Sequence, residues 1–354
     1  MKNLNIALTG LDAHYEQTSA RHIAQSIKAS SRYGKSKIIA LNYALNTIHR
    51  IDGIPDKSVL ITSPDIDENI FQEEMSRIIV NEGIDLILPT SCFEIPYFEN
   101  LRKYCEDKKI SVHIPCIYEN YLSDPLKLYR LCYKHKIPCP QTFQIHNEWE
   151  LRNLSFYFSY PMLLTDSRGY RKICYSFDEI AVNLRHLKQY KNNSVFLQYH
   201  IAGETYQAAV LLDQSSLMIG NVVAKDIIMA EDDHPWAAMT VTFPYLKKLI
   251  EDILFRMALH YTGPLEMTFK KNLTSQQIYL MEAKCRFPCW IHLATRAECN
   301  LAERYLDILF QEKFDPEMYY RPGVIMVRNM QDNVYSNKLL AQLLTKGEIY
   351  YEAL

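Results

Sequence analysis

Apolar runs alternate with amphipathic stretches through the first third of the chain. Residues 4–10 form one such run, ending at Gly10, and Ala20, Ile23, Ala24 and Ile27 then recur at the spacing of a single helical face. Further buried strands are read at 37–41, 59–62, 85–90 and 111–115, with amphipathic helices over 71–80 and 97–105. Strands and helices in that alternation predict a parallel, Rossmann-like sheet. Ligands on such sheets lie beyond the carboxyl ends of the strands, which makes Thr9, Gly10, Pro89, Thr90, Ser91 and Glu94 a candidate crevice. The first turn lacks the Gly-x-Gly-x-x-Gly that would cradle a pyrophosphate, so no dinucleotide site is expected there.

A short helix follows, capped by Ser123 or Asp124 with Pro125 at its first position and running into Cys132. From Tyr160 the pattern changes to alternating, mostly antiparallel strands at 162–164, 172–175, 195–199, 206–212 and 217–223. A helix over 245–260 separates these from strands at 265–270 and 278–283, and a strand at 323–327 and a helix at 337–344 come later. These shifts divide the chain into a Rossmann-like domain (1–116), linker helices with a small lobe (117–190), a larger lobe (191–310) and an extension (311–354). The fold class expected is α/β followed by α+β.

A chain of 354 residues is too long for one ordinary core, in keeping with that division. A net charge of −2 without a long basic run argues against nucleic acid as a partner. No apolar run approaches membrane-spanning length, and the first residues read as a strand, not as a secretory leader. Nine cysteines at irregular spacing fit reduced thiols, so a cytoplasmic location is expected.

The chemistry concentrates in Tyr279-Leu280-Met281-Glu282-Ala283-Lys284-Cys285-Arg286-Phe287-Pro288, an apolar strand ending in alternating charges. Ahead of it, in order, stand Pro138-x-Pro140, Tyr160-Pro161, Ser176-Phe177-Asp178-Glu179, Gln198, Gly203-Glu204 and Lys225. Taken together this series resembles the ATP-grasp superfamily, in the group with a carbamoyl-phosphate-synthase-type ATP half behind a short Rossmann-like domain. The resemblance spans roughly residues 1–310. It implies two antiparallel sheets clasping ATP, with magnesium on the phosphates, and transfer of the γ-phosphate to a carboxylate whose acyl phosphate an amine then attacks. Such a site needs cations against the phosphates and hard oxygen ligands for the metal.

Carried over by position, the resemblance implies phosphate contacts from Lys127, Lys172 and Lys225, and an adenine hinge over Gln198, Tyr199, His200 and Ile201. It further implies a ribose contact near Glu204, metal ligation by Glu282 and an acyl-phosphate contact by Arg286. Four positions depart from the pattern: Thr165 replaces a lysine, Thr205 and Thr268 replace carboxylates, and Lys284 replaces a metal-ligating amide. Glu266 substitutes for the acid missing at Thr268 only if the strand register slips by two. Arg168, Arg171 and Lys172 in the lid loop either compensate for Thr165 or solubilise an exposed loop.

Two functions follow from the resemblance. One is an ATP-dependent carboxylate–amine ligase acting on an unidentified small molecule or peptide, with Mg or with Lys284 in its place. The other is a catalytically retired relative that binds a nucleotide, peptide or protein partner. A homodimer is compatible with either. Plainer readings stand beside these: Glu282 as a salt-bridged strand end, and Cys285, Cys289, Cys299, Cys132 and Cys139 as small core residues, not zinc ligands. Trp290, Phe287 and Tyr305 are read as core packing.

Overall fold

The computed structural model describes residues 2–11, 19–43, 54–90, 94–112, 122–167, 170–190, 193–229, 235–315, 318–328 and 337–351. Ser91, Arg168 and residues 113–115, named above, lie outside them.

The apolar runs of the first third become β1 (Asn5–Thr9), β2 (Lys37–Asn42), β3 (Lys57–Leu60), β4 (Leu86–Leu88) and β5 (Ser111–Val112). They pair in parallel in the order β3-β2-β1-β4-β5. Both faces of this sheet are covered, which is why its strands are almost uniformly apolar. Ile6 and Leu8 face helix α1 (Ala20–Lys28), while Ala7, Ile39 and Ile87 face α2 (Glu68–Glu82) and α3 (Ile95–Asp107). Asp67 caps α2 by accepting from the amides of Asn69 and Ile70, and Gly83 closes it in the left-handed region at φ 57°.

Helix α4 (Pro125–Lys134) is capped by Asp124, whose Oδ1 accepts from the Lys127 amide at 2.8 Å. Beyond it lies a four-stranded antiparallel sheet of β6 (Thr142–Ile145), β7 (Met162–Asp166), β8 (Arg171–Cys174) and β9 (Val195–Tyr199), ordered β6-β9-β7-β8. Helices α5 (Glu148–Leu154) and α6 (Phe177–Leu187) close its core through Leu151, Ile180 and Leu184.

The larger sheet holds β10 (Gly203–Leu212), β11 (Met218–Met229), β12 (Pro235–Thr240), β13 (Gly263–Asn272), β14 (Ile278–Lys284) and β15 (Ile325–Val327), in the order β14-β13-β10-β11-β12-β15. Alternation along β10 sends Ala208 and Val210 toward α7 (Pro244–Met257), and Ala209 and Leu211 toward α8 (Ile291–Arg296) and α9 (Leu301–Leu309). The second of these clusters also contains Ile6, Leu8 and Ile23, so one continuous core joins the larger sheet to the parallel one. The buried carboxylate of Asp307 seals that joint, accepting from Tyr33 Oη at 3.0 Å and from Arg32 Nη1 at 2.5 Å.

The strands β6 and β12, the helices α5, α6, α8 and α9 and a last strand at 348–350 go beyond the elements expected from pattern. The extension divides between two sheets: β15 pairs with β12, and β16 (Glu348–Tyr350), following α10 (Asn337–Lys346), adds antiparallel to β3. There Lys57, 1% exposed, meets Glu82 Oε1 and Glu348 Oε2, each at 2.6 Å, and the Tyr350 hydroxyl at 2.6 Å. Burial alone would depress this ammonium, but the two carboxylates and the phenol hold its pKa above the usual lysine value. Among the described residues, no helix is long and apolar enough to cross a membrane.

Candidate functional site

A narrow, partly enclosed cleft lies between the small sheet and the end of β14, and Ser123, Thr165, Arg171, Gln198, Met281 and Glu282 line it. Its walls are tied together by backbone. Leu280 donates to the Pro138 carbonyl at 2.9 Å, and Tyr199 to the Gln141 carbonyl at 3.2 Å, so the linker is pinned to both sheets. Gln198 is buried and donates through Nε2 to Thr142 Oγ1 at 3.0 Å. Residues 200–202 then carry the chain from β9 into β10.

The end of β14 carries a bulge. Thr268 pairs with Glu282 and Phe269 with Leu280, which leaves Met281 as the extra residue. A bulge re-aims the side chains beside it, and here the consecutive residues Met281 and Glu282 both face the cleft.

The charges of the site are arranged in pairs. Arg171 Nη1 donates to Glu282 Oε1 from the opposite sheet, and Lys284 Nζ lies 3.1 Å from Glu282 Oε2. Burial opposes ionisation of Glu282, but Lys284 and then Arg171 outweigh it and hold the carboxyl well below the usual carboxylate range. Arg286 Nε donates to Glu266 Oε2 at 3.1 Å. Lys225 Nζ sits 2.6 Å from Glu204 Oε1, and the Tyr206 hydroxyl donates to the other Glu204 oxygen at 2.8 Å. These bonds lower the Glu204 pKa.

The expected residues therefore fall into separate places. Glu282 and Gln198 share the cleft; Lys225 and Glu204 form their own pair on β11 and β10; Arg286 and Glu266 form another beside Lys284. Lys127 is exposed on the first turn of α4, two residues beyond the cleft-lining Pro125. Lys172 is exposed and shares its strand face with the buried Cys174, whereas its neighbour Arg171 turns into the cleft. Arg171 stands directly opposite Thr165 in the β7–β8 register, so a cation reaches the cleft from the strand facing that threonine. Tyr199 donates through its hydroxyl to the Tyr157 carbonyl at 2.5 Å, and His200 and Ile201 are partly exposed in the connection.

Magnesium wants several hard oxygen ligands, and the donors here do not fit it. Both oxygens of Glu282 are taken by fixed cations, the cross-strand position holds Thr268, and Glu266 is engaged by Arg286 in an unslipped register. Among the described residues, no group of three His, Cys, Asp or Glu side chains converges as a metal site.

At the crevice of the parallel sheet the described side chains bond one another. Thr9 Oγ1 donates to Glu94 Oε2 at 2.5 Å and accepts from the Thr90 amide at 3.0 Å, and Thr90 Oγ1 donates to the Thr9 carbonyl. Cys285, Cys289 and Cys299 are buried free thiols; Cys289 Sγ accepts from Arg328 at 2.8 Å and His292 Nδ1 lies 3.4 Å from Ser26 Oγ. Trp290 is buried in the core and donates to Gln207 Oε1 at 2.5 Å.

No protein-family model matches the chain, and no curated protein matches it in sequence. Solved structures do match it in fold. An ADP complex of N5-carboxyaminoimidazole ribonucleotide synthetase superposes with a TM-score of 0.66 at 14% identity, over 97% of this chain and 85% of that one. The biotin carboxylase domain dimer of 2-oxoglutarate carboxylase from Hydrogenobacter thermophilus, solved with MgADP, ADP and bicarbonate, gives 0.66 at 16% identity over 91% and 72%. L-amino acid ligase from Bacillus licheniformis gives 0.65 at 12% identity over 90% and 78%. With the sheet order above, these likenesses give the chain the ATP-grasp fold, as the signature strand implied.

Proposed function

We propose that this protein is an ATP-dependent ligase that activates a carboxylate as an acyl phosphate for attack by an amine or related nucleophile. The observation that carries this reading is the placement of Glu282, held ionised, in the cleft between two antiparallel sheets with Gln198 on the opposite wall. The fold neighbours support it, since they include an ADP complex and a ligase of amino acids. In this reading the connection Gln198–Ile201 receives the base through its backbone, and Glu204 lies toward the ribose. Lys127, Lys172, Lys225 and Arg171 meet the phosphates by attraction to their charge, and Arg286 steadies the acyl phosphate. Glu282 keeps Lys284 beside the transferring group and presents Arg171 to it, so that catalysis is positioning and electrostatics. The buried thiols support a reducing, cytoplasmic setting, and a homodimer accords with the dimer among the neighbours.

A second reading, nucleotide binding without turnover, is favoured by one observation: Glu282, Glu204 and Glu266 are each already neutralised by an internal cation. Incubation with ATP and pools of carboxylic acids and amines separates the two. Release of ADP that depends on a pool is the result expected of the ligase; stabilisation by ATP with no ADP from any pool selects the second reading.

A further inference from the structure

Three observations at the end of β14 bear on the form of nucleotide the cleft accepts. Glu282, the acid that lines the cleft, has one oxygen bonded to Arg171 and the other 3.1 Å from Lys284. Across the β13–β14 register stands Thr268, and Glu266, two residues back, is bonded to Arg286 at 3.1 Å. Arg171 enters from the small sheet, opposite Thr165, and lies against the same space as Gln198.

We propose that this cleft takes a nucleoside polyphosphate without a divalent metal, Arg171 and Lys284 supplying the positive charge. The inference rests on the reading of the cleft as a nucleotide site. A dication placed beside Glu282 would have to displace a guanidinium and settle next to an ammonium, and like charges at such range repel. A polyphosphate instead meets two cations already in position. The planar fork of Arg171 matches phosphate oxygens as readily as carboxylate oxygens, so Arg171 exchanges Glu282 for the ligand while Lys284 stays on Glu282 and keeps it compensated. Glu282 and Lys284 stand on β14 of the larger sheet, whereas Arg171 belongs to the small one. Its exchange therefore couples nucleotide entry to the ion pair that ties the two sheets together.

Titration calorimetry with ATP, once in magnesium chloride and once in EDTA without divalent ions, tests this. Dissociation constants agreeing within about threefold are expected. Binding more than about tenfold weaker in EDTA overturns the proposal while leaving the nucleotide reading standing. No binding in either buffer overturns both. The variants Arg171→Ala and Lys284→Asn each give a second readout: ATP binding in EDTA weakens about tenfold and is recovered by magnesium, because each change relieves Glu282 of a cation. If both variants bind ATP in EDTA as the wild type does, the two cations do not act as proposed.

Discussion

Lys225 and Glu204, on neighbouring strands of the larger sheet, hold one another at 2.6 Å while both remain about one-third exposed. A pair so open to solvent contributes little to folding, although Tyr206 donates to the same carboxylate. Its geometry suits exchange: the ammonium is partly neutralised now and free to turn to a phosphate. Lys225→Ala is expected to change stability by less than about 1 kcal/mol and to weaken ATP binding about tenfold. Chemical denaturation and calorimetry on the same variant read the two effects separately. A large loss of stability with unchanged affinity would make the pair structural.

The imidazole of His22 is pushed down to about 3 from its ordinary 6.5, by burial first and then by Arg328, Arg21 and His292. Between those values the unfolded chain binds a proton that the folded protein refuses, so stability is lost as pH falls below about 6.5. At pH 5 the loss from this group is about 2 kcal/mol. His22→Gln should remove that part of the pH dependence. Urea denaturation at pH 7 and pH 5 measures it, and parallel pH dependences in variant and wild type would refute the assignment.

Gly203 opens β10, immediately after the connection from the small sheet. A Cβ there would lie 2.0 Å from the Lys271 carbonyl oxygen on β13, closer than any backbone tolerates without moving. Gly203→Ala should cost about 1–3 kcal/mol as an overpacked site and should shift the connection that carries Tyr199, His200 and Ile201. A melting temperature equal to wild type would show that the strand accommodates the methyl.

Ile349, fully buried on β16, is the apolar anchor of the strand added to β3. Ile349→Ala is expected to destabilise by about 2–5 kcal/mol, the range for truncating a buried isoleucine. Hydrogen exchange should quicken first in residues 57–59, whose outer partners are Glu348, Ile349 and Tyr350. Uniform quickening across the parallel sheet would mean that β16 and the sheet open as one unit.

The strands β1, β2 and β4 were legible because burial on both faces leaves an unbroken apolar run, and β14 because its apolar strand ends in a charged signature. Strand β3, expected at 59–62, begins two residues earlier with the buried Lys57 and Ser58, which no apolar pattern marks. The strand β12 was not legible: it opens on Pro235, and Ala237 and Ala238 give it no alternation. Nor was β16, whose three residues become a strand only by meeting β3. The same division holds at the cleft. Glu282 was legible from local order, but Arg171, which pairs with it from 111 residues away, becomes its partner only when the two sheets close. Choosing between Arg171 and Lys172 required knowing which face of β8 turns inward, and neighbours along a strand point opposite ways.

The contact between Lys57 and Tyr350 spans 293 residues, and this sets a timetable for the nascent chain. At ribosomal speeds of about 5–20 residues per second, roughly 15–60 s separate the emergence of β3 from that of the strand that covers it. During that interval Glu82 is the carboxylate available to Lys57, and the outer backbone of β3 has yet to receive its partner. The strand β3 is thus finished only when residues 348–350 reach it, and it depends on every intervening residue being made.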